Sequence, residues 1–248
     1  MKRIFILGDA ALVEEYASLC LNKNLLVSGR MNSDRSLPSK TIRGFSKSTK
    51  PSKAMDIALE LTNISPESKK KNLIELASKL GSRTPILTSS VTVTLGEQST
   101  WVKSPQRLVG VGALPSLLRG SLVELTTTRQ TDQKHLESAK SFVEKLGKQH
   151  SMVGDSVGMV MPRILCALAN EAFFALKENV ASGREIDTAM KLGTNYPYGP
   201  VEWAQTIGIQ QVHAVMHALF DAFGEERYRP APLLRQYASS GVSALQWL

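Results

Sequence analysis

The sequence predicts an α/β chain in two parts: a doubly wound parallel sheet over residues 1–155, then an all-helical domain over residues 156–248. Three observations carry this. Short apolar runs alternate with amphipathic helices in the first part, helix follows helix in the second, and the first apolar run ends at Gly8 and opens straight into a helix. Alternation of strand and helix is the pattern of a parallel sheet with helices on its faces.

Taken in order, Arg3–Gly8 is a strand, followed by a helix through Leu21 and a second strand over Leu25–Gly29. Met55–Leu61 is the next strand, and the helix after it carries Leu73, Leu76, Ala77 and Leu80 on one face. That i, i+3, i+4, i+7 stripe belongs to a helix packed on a sheet. Further strands are expected at Pro85–Thr88, Arg107–Ala113 and Leu122–Thr126, then a helix whose Leu136, Ala139, Phe142, Val143 and Leu146 face inward. Beyond Asp155 come a long helix over Val157–Val180 and a helix start at Ser182, with Glu185 placed for a capping box. The turn Asn195-Tyr196-Pro197-Tyr198-Gly199-Pro200 and helices over Ile207–Phe223 and Pro230–Ala238 complete the domain. Its apolar content, with Phe173, Phe174 and Trp203, predicts that it buries a face against a second copy of itself.

Composition narrows the function. With 248 residues, 42% hydrophobic and 21% charged, the chain is that of a globular protein with room for a sizeable core. No apolar run approaches the roughly 20 residues a membrane span needs, and the amino terminus lacks a signal-peptide pattern, so no membrane partner and a cytoplasmic location are expected. Cys20 and Cys166 read as buried free thiols. His135, His150, His213 and His217 make no cluster with ligand spacing, so no metal is expected; His213 and His217 share a helix face but have no acidic partner in this reading. The net charge of +8 is partly focused in Arg30, Arg35, Lys40, Arg43, Lys47, Lys50 and Lys53 against Asp34 alone. Phe45 is the one ring there, so base stacking has little to work with and nucleic acid is not the expected partner; a solvated loop, or contact with CoA or nucleotide phosphates, suits the stretch.

The first strand-to-helix turn reads Gly8-Asp9-Ala10-Ala11-Leu12-Val13. A dinucleotide site wants G-x-G-x-x-G there: one glycine for the turn, a second for approach to the pyrophosphate and a third for helix packing. Gly8 is present, Ala10 adds a methyl group at the second position, and Asp9 brings a negative charge. Ser28-Gly29-Arg30 stands where an acid would bind the ribose. The fold is thus Rossmann-like with a degenerate nucleotide loop, and NAD or NADP is expected to bind weakly or not at all.

Gly154-Asp155-Ser156-Val157-Gly158-Met159-Val160-Met161-Pro162-Arg163-Ile164-Leu165, then Asn170-Glu171-Ala172, Ile186 to Gly193, Tyr196 to Pro200 and Ile207-Gly208 closely resemble the carboxy-terminal domain of the 3-hydroxyacyl-CoA dehydrogenases. The resemblance extends more weakly to Leu122-Val123-Glu124-Leu125 and to Pro85-Ile86-Leu87-Thr88-Ser89-Ser90. It implies an enzyme that oxidises a 3-hydroxyacyl-CoA with NAD and dimerises through its helical domain. The family's catalytic histidine is oriented by a glutamate twelve residues later; counting back from Glu124 lands on Gly112. The family's active-site serine falls on Val91 and its asparagine on Pro162, while Lys69 keeps a cofactor-side lysine position. The helical hairpin that carries part of the family's CoA site has no room here, so the sheet domain is a shortened one.

These departures set the expectation. Loss of a general base costs about two to four decades in rate, roughly 3–6 kcal/mol. The resemblance leaves Glu124 as the catalytic residue and Gly8, Ala10 and Lys69 as cofactor-side positions. The expected protein is 3-hydroxyacyl-CoA dehydrogenase-like, of fatty-acid metabolism, a weak or inactive homodimer with acyl-CoA as its ligand. The alternative is an active NAD(P)-dependent oxidoreductase on a 3-hydroxyacyl-CoA or short hydroxy acid, with an altered site.

Overall fold

A computed structural model describes residues 2–32, 42–48 and 50–240. The chain forms two compact units, Met1–Met159 and Val160–Leu248.

The first unit is built on eight strands: β1 (Arg3–Gly8), β2 (Leu26–Met31), β3 (Ser46–Lys47), β4 (Ile57–Leu61), β5 (Ile86–Ser89), β6 (Leu108–Val111), β7 (Leu122–Thr126) and β8 (Gln149–Met152). Their order is β3-β2-β1-β4-β5-β6-β7-β8, parallel except where β6 meets β7. β1 and β4 lie at the centre and are buried on both faces, which is why they read as apolar runs, interrupted in β4 by Glu60 alone. Alternate side chains part to the two faces. Ile4 and Ile6 join Leu12 and Tyr16 of α1 (Ala10–Asn22) and Phe142 of α4 (Gln133–Lys145), whereas Phe5 and Leu7 join Leu73 and Leu76 of α2 (Pro66–Lys79) and Leu95 of α3 (Leu95–Thr100). Each such side chain contributes roughly 1.5–3 kcal/mol by leaving water. The start of α2 is set by Ser65, whose hydroxyl accepts the Ser68 N–H at 3.1 Å, with Pro66 in the first turn.

The strand reversal at β7 departs from the wholly parallel expectation. A parallel return needs a crossover of a dozen or more residues, and the link over residues 112–121 is too short for one. β3, α3 and β8 were also not expected: β3 has two residues, α3 six, and β8 is half exposed, so none carries an apolar period.

The second unit comprises α5 (Met161–Lys177), α6 (Gly183–Thr194), α7 (Pro200–Ile207), α8 (Ile209–Phe223) and α9 (Pro232–Ser240). α5 is central and packs on α7, α8 and α9 through Leu165, Cys166, Ala169 and Phe173. It is shorter than predicted because Gly158 and Met159 before it both take positive φ, +80° and +48°. Gly208, at φ +97°, likewise separates α7 from α8. The capping box at Ser182 and Glu185 forms as the spacing predicts. Asn170 holds the approach to α9, donating to the Arg229 carbonyl and accepting the Ala231 N–H. Val160, Ile164, Leu192 and Phe223 are left exposed.

Cys20 and Cys166 are buried free thiols, and burial pushes both up from the ordinary thiol value. His217 does have an acidic neighbour that the sequence reading overlooked, Asp221 one turn on at 2.9 Å. Arg43, Lys47, Lys50 and Lys53 of the basic stretch are exposed, while Asp34, Arg35 and Lys40 lie outside the described residues. Among the described residues no helix is long and apolar enough to cross a membrane.

Candidate active site

In a doubly wound sheet, ligands bind outside the carboxyl ends of the strands at the point where strand order reverses. Here that point lies between β1 and β4. Gly8 ends β1 at φ +147°, and a Cβ on it would collide with the Leu61 carbonyl of β4, so strand packing alone demands glycine. Asp9 follows, buried, with a carboxylate that spans the crevice. Its Oδ2 accepts the backbone N–H groups of Asn63 at 2.8 Å and Ile64 at 3.2 Å, and its Oδ1 accepts Asn32 Nδ2 at 3.3 Å. Ala10, at the start of α1, is nearly buried, and Val13, in the third glycine's place, fills the core.

The β2 side of the crevice is polar. Register sets Met31 beside Gly8, so the strand tip that would present a ribose-binding acid carries Met31; the expectation that put Ser28-Gly29-Arg30 there is corrected by the longer strand. Arg30 makes a two-pronged ion pair with Glu75 of α2, at 3.1 and 2.5 Å, and holds that carboxyl below its ordinary value. Asn72 donates to Asn32 Oδ1 at 3.0 Å and to the Thr62 hydroxyl at 3.1 Å. Together these groups wall a cleft of about 530 Å³ with Ser68 and Lys71 at its edge.

The residues at the crevice do not fit a dinucleotide. Two like unit charges 4 Å apart repel by about 4 kcal/mol at an effective dielectric of 20. Asp9 would meet a pyrophosphate in that way, where glycine-rich turns offer bare amides. Arg30, the natural partner for a 2′-phosphate, is already satisfied by Glu75.

On the far side of the sheet centre, β6 and β7 bring Gly112 and Glu124 together. The Gly112 N–H donates to the Glu124 carbonyl at 2.9 Å, continuing a ladder in which Gly110 faces Thr126 and Val111 faces Leu125. A Cβ on Gly112 would stand 3.3 Å from Glu124 Oε2 and 3.5 Å from Met159 Sδ. Glu124 is 6% exposed. Val91 is wholly buried, an apolar side chain that offers no hydrogen bond, and Pro162 lies in the first turn of α5 in the second unit. Neither supplies the hydroxyl or amide expected of those places.

Lys69 is not open to a ligand. Its side chain is buried, its ammonium pairs with Glu60 of β4, and it donates to the Thr62 carbonyl at 2.9 Å. Glu60 also accepts the Thr62 N–H at 3.1 Å, and burial pushes its carboxyl up against the pull of Lys69. Lys69 therefore braces β4 through Glu60 and the Thr62 carbonyl.

Sequence reasoning missed Asn63. Its Nδ2 donates to the Ala113 carbonyl at 2.8 Å, its Oδ1 accepts the Ser89 hydroxyl at 2.6 Å, and its carbonyl accepts the Thr92 hydroxyl at 3.1 Å. The available signal was the pair Thr62-Asn63, polar residues set directly after an apolar central strand.

Residues 12–156 match the profile of the 3-hydroxyacyl-CoA dehydrogenase NAD binding domain, and residues 158–244 that of the 3-hydroxyacyl-CoA dehydrogenase C-terminal domain. Among curated relatives, a 3-hydroxybutyryl-CoA dehydrogenase of Bradyrhizobium diazoefficiens is 32% identical over 186 residues, 75% of this chain and 64% of that protein. A 3-hydroxyadipyl-CoA dehydrogenase of Escherichia coli is 38% identical over 121 residues, 49% of this chain and 26% of that one. The matches thus span less than two thirds of these relatives' length. Among solved structures, (S)-3-hydroxybutyryl-CoA dehydrogenase of Ralstonia eutropha superimposes with a TM-score of 0.76 at 28% identity, covering 97% of this chain and 94% of that one.

Proposed function

The chain belongs to the 3-hydroxyacyl-CoA dehydrogenase family, and from that footing we propose that it does not carry out the family's hydride transfer. The observation that carries this is Gly112 beside Glu124: the carboxylate that would orient a general base is in place, and the position it serves has no side chain. A carboxylate is a weaker base than an imidazole and a poor match for the proton of an alcohol. Without an imidazole the substrate hydroxyl, which must give up its proton as hydride leaves the carbon, has no proton acceptor matched to it, a loss of about two to four decades.

What remains is a family scaffold in the cytoplasm, paired as a homodimer through its second unit and able to hold an acyl-CoA of fatty-acid metabolism. The exposed Val160, Ile164 and Phe223 support the pairing, since exposed apolar side chains on a small helical domain favour a covered face. Absorbance at the NADH band with acetoacetyl-CoA tests the loss of chemistry. The expected rate lies at least about a hundredfold below that of the Bradyrhizobium relative assayed alongside. A comparable rate would refute it, and if Glu124→Gln then abolished that rate, Glu124 would be a substitute base in a working oxidoreductase.

A further inference from the structure

We propose that Asp9 takes the place of a dinucleotide pyrophosphate, so that the chain's own carboxylate occupies the amides at the β1–β4 crevice and the cleft beside it binds neither NAD nor NADP. This deepens the reading above for the same domain, yet it concerns binding and not turnover.

The carboxylate sits at the start of α1, where a helix favours negative charge. It accepts N–H groups from Asn63 and Ile64 at the end of β4, the amides that flank the crevice opposite the turn. Hydrogen bonds to an ionised acceptor are stronger than neutral ones, so this closure is not readily displaced. Asn63 extends the seal: its side-chain amide lies between the Ser89 hydroxyl and the Ala113 carbonyl, and all of these groups are buried. On the other flank, Arg30 is turned to Glu75 and Asn32 to Asp9 and Thr62. A dinucleotide entering here would have to break the Asp9 bonds and then lie against its charge.

Calorimetric titration with NADH and with NADPH tests this on the wild-type chain and on the double variant Asp9→Asn with Ala10→Gly. The substitutions remove the charge and the methyl group while leaving one side-chain oxygen for the Asn63 and Ile64 amides. The wild type is expected to show no saturation up to about 1 mM, and the double variant to bind NADH at least about tenfold more tightly. Micromolar binding of either nucleotide by the wild type overturns the proposal, as does a folded double variant that binds no better. Should the variant fail to fold, amide NMR of the wild type decides: resonances of Gly8 to Val13 are expected to stay in place as NADH is added, and a saturable shift overturns the proposal. NADH binding without turnover would overturn this inference alone and leave the proposed loss of chemistry standing.

Discussion

Two aspartates, one in each unit, do the same chemistry for different ends. Asp187 in α6 accepts the Val201 N–H at 2.8 Å and the Glu202 N–H at 3.0 Å, holding the first turn of α7. Asp9 accepts two consecutive amides in the same fashion, from Asn63 and Ile64. In the second unit the carboxylate completes a helix start that needs an acceptor, and burial pushes its carboxyl above the ordinary value. In the first it accepts two amides at the edge of the crevice where a nucleotide-binding sheet takes its ligand. The second unit's polar groups are architecture in a helical bundle; on the proposed reading, the first unit's are the equipment of a binding site turned to the same use.

That contrast can be broken most forcefully at Lys69. If Lys69 braces the core and does not serve a ligand, Lys69→Met strands the buried Glu60 carboxylate and costs about 3–5 kcal/mol. Because burial raises the folded-state pKa of Glu60, its protonated form suits the core. The variant's stability is therefore fullest below the ordinary 4.5 and is lost as pH rises through the raised value. Urea denaturation at acidic and neutral pH checks this, and a deficit that did not depend on pH would break it.

A smaller effect compares the aspartates directly. Asp9→Ala and Asp187→Ala each leave two amides without their acceptor, and each is expected to cost about 1–3 kcal/mol. A cost at Asp187 with none at Asp9 would mean that the crevice is not held shut by its carboxylate. In the second unit, Ile164→Glu places a charge on the exposed apolar face and is expected to weaken self-association at least about tenfold while leaving the melting of the monomer unchanged. Light scattering over a dilution series would show it; a wild-type chain that is monomeric throughout would remove the dimer.

The smallest effect sharpens the map of the missing base. Gly112→His sets an imidazole against Glu124, and its pKa, followed by NMR, is expected to stand about one unit higher than in the same variant carrying Glu124→Gln. The substitution is tight, with the new Cβ 3.1 Å from Glu124 Cβ. Equal titration in the two variants would mean that residues 112 and 124 do not face one another through their side chains.

That pairing was reached from sequence through the family resemblance, which sets histidine and glutamate twelve residues apart; the antiparallel ladder that places it, with Val111 against Leu125 and Gly112 next to Glu124, was not expected. The central strands were readable for a local reason, since β1 and β4 are apolar runs with Glu60 the one charge inside β4. β8 was not, because an edge strand of Gln149-His150-Ser151-Met152 has no apolar face to announce it. The role of Asp9 was readable only as a charge in the wrong place. The amides it accepts lie just past β4, 54 and 55 residues away, and nothing local to the turn encodes them. Lys69 was readable only as a position shared with the resemblance, and its buried pairing with Glu60, nine residues back, was not.

The most direct test of the lost hydride transfer is isotopic. The wild-type chain is incubated with deuterium-labelled NADH and acetoacetyl-CoA at enzyme concentrations high enough to register a single turnover, and the thioester is examined by mass spectrometry. The expected result is no deuterated 3-hydroxybutyryl-CoA above the enzyme-free control; its accumulation to the level of the enzyme present would contradict the loss of chemistry at Gly112.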